Sequence, residues 1–129
     1  MNALELLEKH PRAGSVIRNW LLWRMVEALE SELIDEEFKQ YMRDQGIEND
    51  KIAPMIDANP RMLLDVFDEN NIYVGTLLDE SNGFWWTING NKSTVGYEYR
   101  KNCEIAAIET AFKILEKQLT PKEETNENE

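Results

Sequence analysis

Few side chains in this sequence are of the kinds that do chemistry, and their surroundings decide what each can do. Nucleophilic catalysis needs a nucleophile and a base held in contact. The single histidine, His10, stands beside Pro11 at a turn that ends a short helix, and reads as a capping or surface residue. The single cysteine, Cys103, falls at the start of the last helix. A helix dipole there lowers a thiol pKa, whereas the ordinary role of a small residue at that point is packing. One cysteine cannot form an intramolecular disulfide, which fits a reducing cytoplasm. Asp65, Asp68 and Glu69 have helical spacing but lack the loop glycine and alternating oxygen ligands of a calcium-binding hand. They read as a solvated face. Gly83, Gly90 and Gly96 belong to turns and a strand, and no Gly-Lys-Ser/Thr follows to hold a phosphate. The sequence therefore predicts no catalytic residue, no metal site and no cofactor. A carboxylate-only enzyme is the one enzymatic alternative.

Binding is the chemistry that remains. The chain has 129 residues, with 14 basic against 25 acidic side chains and a net charge of −11, a field that repels phosphate backbones and anionic lipids. Six carboxylates (Glu27, Glu30, Glu32, Asp35, Glu36 and Glu37) fall between 27 and 37 without a basic residue. They read as a solvated helix face and cap or, more sharply, as an acidic surface that steers a basic protein partner. The second candidate is aromatic. If Phe84, Trp86 and Ile88 face the last helix, alternation sends Trp85 and Thr87 to the other face of a sheet, with Tyr73, Leu77, Glu98 and Arg100. Uncovered, that face is a recognition surface. Covered by the N-terminal helices, it is core. Trp20 and Trp23 form a further apolar stripe with Val16, and offer a contact for a homo-oligomer.

The elements that position these residues are legible in the hydrophobic period. Residues 1 to 50 read as helical. Asn2 caps a short helix through Leu4 and Leu7, Pro11 and Gly14 interrupt it, and Ser15 caps a second helix to about Leu33. Leu22, Val26, Leu29 and Leu33 form one stripe of that helix. Asp35, with Glu36 and Glu37, starts a third helix that ends at Gly46. Residues 51 to 119 read as α-β-β-β-α. Pro54 and Pro60 punctuate the start, and Asn59-Pro60 opens a helix through Met62, Leu63, Val66 and Phe67. The period then changes to 2, with strands at Ile72–Leu78, Phe84–Ile88 and Thr94–Tyr99, joined at Ser81-Asn82-Gly83 and Asn89-Gly90. A last helix runs from about Asn102 to Leu119, its apolar face made by Ile105, Ile108, Ala111, Phe112, Leu115 and Leu119. The acidic tail, 120–129, has no apolar residue and is expected to be disordered. The expected fold class is α+β: a helical N-terminal region, then a three-stranded antiparallel meander packed by the C-terminal helix. No stretch approaches the roughly 18 apolar residues of a membrane span. The N-terminus lacks a signal-peptide pattern, and a cytoplasmic location is expected.

The run FWWTING followed by VGYEYRKNCEIAAIETAFKIL resembles the central strand, third strand and last helix of the double-stranded RNA-binding domain. That resemblance implies a phosphate clamp at the start of the last helix, formed by a basic pair, a spacer, a small residue and a third lysine. Arg100 and Lys101 match the pair, Asn102 the spacer and Cys103 the small position, whereas Glu104 stands where the third lysine belongs. The same run is similar to small proteins encoded by bacteriophages and mobile elements. The expected function is that of a small acidic, non-catalytic binding protein, acting on a protein partner as a phage or mobile-element modulator of its host. A nucleic-acid module using Arg100 and Lys101 is the alternative.

Overall fold

The helical half opens with a tight joint. Asn2 accepts a hydrogen bond from the Glu5 N–H at 3.0 Å and starts helix α1, Ala3–Lys9. Helix α2, Pro11–Glu27, begins one residue beyond His10, four residues earlier than Ser15. Pro11 starts the helix instead of interrupting it, because a first helical position has no use for the N–H that proline lacks. Gly14 is buried inside α2, and a Cβ there would lie 2.8 Å from the Leu7 carbonyl oxygen. Only a glycine lets α2 approach the end of α1 so closely.

The computed structural model describes residues 1–29, 35–81 and 83–121. Leu33, most of the tail, Glu30, Glu32 and Asn82 thus lie outside the described residues. Helix α3, Glu36–Gln45, starts as its acids suggest, with Asp35 accepting from the Phe38 N–H at 2.9 Å. It stops at Gly46, whose φ is 72°. Helix α4, Asn49–Ala58, runs through Pro54, where the sequence suggests only a break. Pro54 and Asp50, the residue whose carbonyl the proline leaves unbonded, are both exposed, so the break in the helix ladder lies at the solvent-facing side. Asn59-Pro60 opens a 3₁₀ turn, Pro60–Met62, which continues as helix α5, Leu63–Glu69.

Three antiparallel strands follow in the order β1 (Val74–Asp79), β2 (Gly83–Ile88) and β3 (Asn91–Lys92). The first two lie close to their expected positions, although Ile72 falls in the core ahead of β1. The third does not. Asn89 and Gly90 take φ values of 51° and 85°, a two-residue turn that puts β3 directly after it, with Ile88 opposite Asn91. Ser93 then breaks the ladder. Its hydroxyl accepts from the Trp86 N–H at 3.2 Å and donates to the Val95 carbonyl at 2.9 Å. The chain bulges over 94–96 and returns as a single bridge, Tyr97 to Phe84. Thr94–Tyr99 is thus a tethered loop, and Val95 and Tyr99 are exposed.

Helix α6, Arg100–Leu119, starts two residues earlier than the pattern suggests. It buries Cys103, Ala107, Ile108, Ala111, Phe112 and Leu115, while Ile105 is half-buried and Leu119 exposed. One side of α6 packs on β1 and β2, and α2 packs against it as well. The result is an α+β fold with one apolar cluster, in which Leu7, Ile17, Ile52, Phe67, Ile88 and Phe112 all take part. Phe112 is fully buried, with its ring 5.9 Å from Phe67 in an edge-on arrangement. Phe112→Ala is therefore expected to lower unfolding free energy by about 3–5 kcal/mol, measured by denaturant titration.

Candidate protein-binding surface

Helix α3 is the α-helix least committed to the core. None of its residues is buried, and α2 is its main neighbour. The tie between the two is Arg43. Its guanidinium is nearly buried, lies 4.2 Å from the centre of the Trp23 ring, and pairs with Glu27 of α2 and, at 3.9 Å, with Glu36. Trp23 thereby serves as a platform for an internal cation while half of its surface stays open. Trp20, the other tryptophan of that stripe, is half-buried beside the core and carries Arg24 at 4.3 Å.

On the outside of α3, Phe38 and Tyr41 are 50% and 58% exposed, with their rings stacked 6.2 Å apart. Asp35 and Glu37 join them around a shallow hollow. Two aromatic faces and two carboxylates form a site suited to a cation. Of the acidic candidates, Glu37 lines this hollow, and Glu36 is turned to Lys39 and Arg43. Glu30 and Glu32 lie outside the described residues. Neither residue type nor motif points to Phe38 and Tyr41 in the sequence. The signal for them is their i, i+3 spacing in a helix that is otherwise almost wholly polar.

The aromatic sheet candidates are less of a unit. Trp85 faces away from α6, paired with Leu77, and is half-buried under Lys92, whose ammonium lies 4.2 Å from the ring centre. Tyr73 is exposed on the same side, and the Gly75–Thr87 pair separates it from Trp85. Helices α1 and α2 dock on α4, α5 and α6, so the N-terminal helices do not form a layer over this face. Glu98 and Arg100 do not share it in a ladder, because 94–99 leaves the sheet. Arg100 lies over Phe84 at 5.2 Å instead.

Arg100 and Lys101 are exposed in the first turn of α6, where positive charge opposes the helix dipole. Glu104 pairs with Arg61 at 3.4 Å, so the acid at the third clamp position is neutralised by a cation from the 3₁₀ turn. Among the described residues no group of three His, Cys, Asp or Glu side chains is placed to hold a metal ion, and no helix is long and apolar enough to cross a membrane. Burial raises the Cys103 thiol above its ordinary pKa, and the neighbouring Glu104 raises it further, so the thiol is a poor nucleophile. Comparison with protein-family models, curated proteins and solved structures gives no match.

His10 is buried at the joint between α1 and α2, with its ring 6.2 Å from Phe112. Burial lowers its pKa below the ordinary 6.5. Glu116 opposes that shift, and Lys9 and Lys113 reinforce it. The unfolded chain thus binds this proton more readily than the native one. Stability is expected to be complete above about pH 6.5 and to fall as the pH drops from there through the lowered native pKa. Denaturant midpoints across that window, compared with those of His10→Gln, check this. The variant is expected to have the flatter profile.

Proposed function

We propose that the chain is a small acidic binding protein that captures a basic segment of a protein partner on the α2–α3 face. The observation that carries this reading is the hollow of Asp35, Glu37, Phe38 and Tyr41, on a helix that buries none of its residues. A lysine or arginine entering it meets an aromatic face and a carboxylate together. A cation over an exposed ring contributes about 0.5–1 kcal/mol, and more when desolvated. The chain already makes this pairing internally at Trp20, Trp23 and Trp85. The net charge of −11 adds long-range attraction to such a partner. The resemblance to phage and mobile-element proteins makes a host protein with a basic, nucleic-acid-binding surface the natural target. The binding is non-catalytic in this reading.

The test uses a fluorescent peptide of alternating lysine and arginine, followed by anisotropy. Phe38→Ala with Tyr41→Ala is expected to weaken binding about tenfold, near 1.4 kcal/mol, without lowering the melting temperature. Glu37→Lys is expected to slow association, by an amount that shrinks in high salt. If Asp68→Lys with Glu69→Lys, on exposed α5 positions, weakens binding as much as the aromatic pair does, the attraction is general and the proposed site is wrong.

A nucleic-acid role through Arg61, Arg100 and Lys101 rests on three exposed cations around one acid. In a chain of charge −11, no binding to double-stranded RNA is expected at physiological salt. Glu104→Lys removes the pairing acid. Gel-shift binding by that variant, lost at high salt, would show that the clamp geometry is otherwise present.

A further inference from the structure

Strand β1 is an edge strand. The Asn89 N–H donates to the Tyr73 carbonyl at 3.1 Å, and with the register of the two strands this places residues 73, 75 and 77 in the bonded pairs with β2. The backbone groups of Val74, Thr76 and Leu78 therefore point away from the sheet, and no described residue bonds to them. Such an edge is a template for another strand. The side chains of the same three residues lie on the α6 side. At one end of the edge, Leu64, Val74, Thr76 and Ile108, with Arg61 and Glu104 at the rim, line a pocket of about 120 Å³. That is close to the roughly 150 Å³ of a cavity that holds one benzene-sized apolar group. At the other end Leu78 is 60% exposed, beyond the reach of the helix.

We propose that two copies of the chain pair antiparallel along β1, about a two-fold axis at Thr76, with Leu78 of each copy seated in the pocket of the other. The symmetry accounts for both ends at once. Centring on Thr76 sets Thr76 opposite its own counterpart and Val74 opposite Leu78, so all three outward-facing residues are paired. Residues opposite one another in a ladder project to the same side, so Leu78 of the second copy arrives on the α6 side, beside Val74 and over the pocket. Exposed Glu80, just past Leu78, comes to the end of the edge whose pocket rim carries Arg61, paired there with Glu104. A second copy is favoured over an unrelated strand because the edge carries both the apolar knob and the pocket that takes it, in self-complementary register.

Sedimentation equilibrium at physiological ionic strength, from about 10 µM to about 1 mM, tests the association expected of a contact below standard interface size. A monomer–dimer equilibrium is expected, weakened about tenfold or more by Leu78→Lys with the melting temperature of the monomer unchanged. The axis is tested by Thr76→Cys. Opposite bonded residues lie about 5.5 Å apart at Cα, within disulfide range, so mild oxidation should cross-link this variant to a dimer. Native Cys103 is buried and does not compete. Val95→Cys, exposed but off the edge, should not cross-link comparably. A chain that stays monomeric throughout, a dimer indifferent to Leu78→Lys, or a Thr76→Cys variant that fails to cross-link would each overturn the proposal.

Discussion

Helix α6 must satisfy two partners at once, and the rest of the molecule is arranged around that constraint. Its buried residues serve the sheet on one side and the N-terminal helices on the other, with Phe112 in contact with Phe67 and beside His10. A three-stranded sheet whose third strand has only two residues cannot bury its own apolar face. Helices α1 and α2 likewise lack enough mutual surface to stand alone. The sheet and α2 become stable by sharing α6, and α1 by packing on α4 and α2. This is why Leu7 and Ile88, 81 positions apart in the chain, belong to one cluster.

The charged residues follow a second rule, in which carboxylates cap the positive ends of helices across elements. Asp57 of α4 accepts from the Ala3 N–H at 2.9 Å, and Glu116 of α6 accepts from the Arg12 and Ala13 N–H groups at 2.8 and 3.0 Å. The arginines are drawn inward or sideways. Arg18 donates to Asn49 at 2.6 Å, Arg24 and Arg43 lie over tryptophans, Arg61 holds Glu104 and Arg100 lies over Phe84. At the α3 start the acids are tied as well, Asp35 by the Phe38 N–H and Glu36 by Lys39 and Arg43.

How far these arrangements can be read in the sequence depends on whether the signal is local. The cap at Asp35, the stop at Gly46, the helix start at Asn59-Pro60 and the stripe of α6 were all legible, because each is a short-range rule of period or backbone shape. Pro11 and Pro54 misled, since proline marks a break only where its missing N–H was needed. The third strand was misplaced because the Asn-Gly turn acts on its immediate neighbours, whereas alternation in 94–99 reflects a loop tethered at Tyr97. The candidate surface is built from residue types that stand out in the sequence, acidic and aromatic, but its place is not legible there, because the pairing of Phe38 with Tyr41, the tie at Arg43 and the neutralisation of Glu104 by Arg61 are tertiary facts. No local pattern encodes which cation meets which ring or acid across elements.

The two proposed surfaces differ in the force that drives them, and ionic strength separates them physically. Capture of a basic segment on α3 draws on the field of the whole chain, so added salt screens it and slows association. Pairing along β1 relies on backbone hydrogen bonds and an apolar side chain in a pocket, which salt scarcely touches, while the charge of −11 on each copy opposes approach. Screening over about 8 Å at physiological ionic strength removes much of that repulsion and leaves the short-range contacts intact. In the two proposals, rising salt therefore weakens the heterotypic contact and favours the homotypic one, with the acidic surplus attracting a basic partner and opposing self-association.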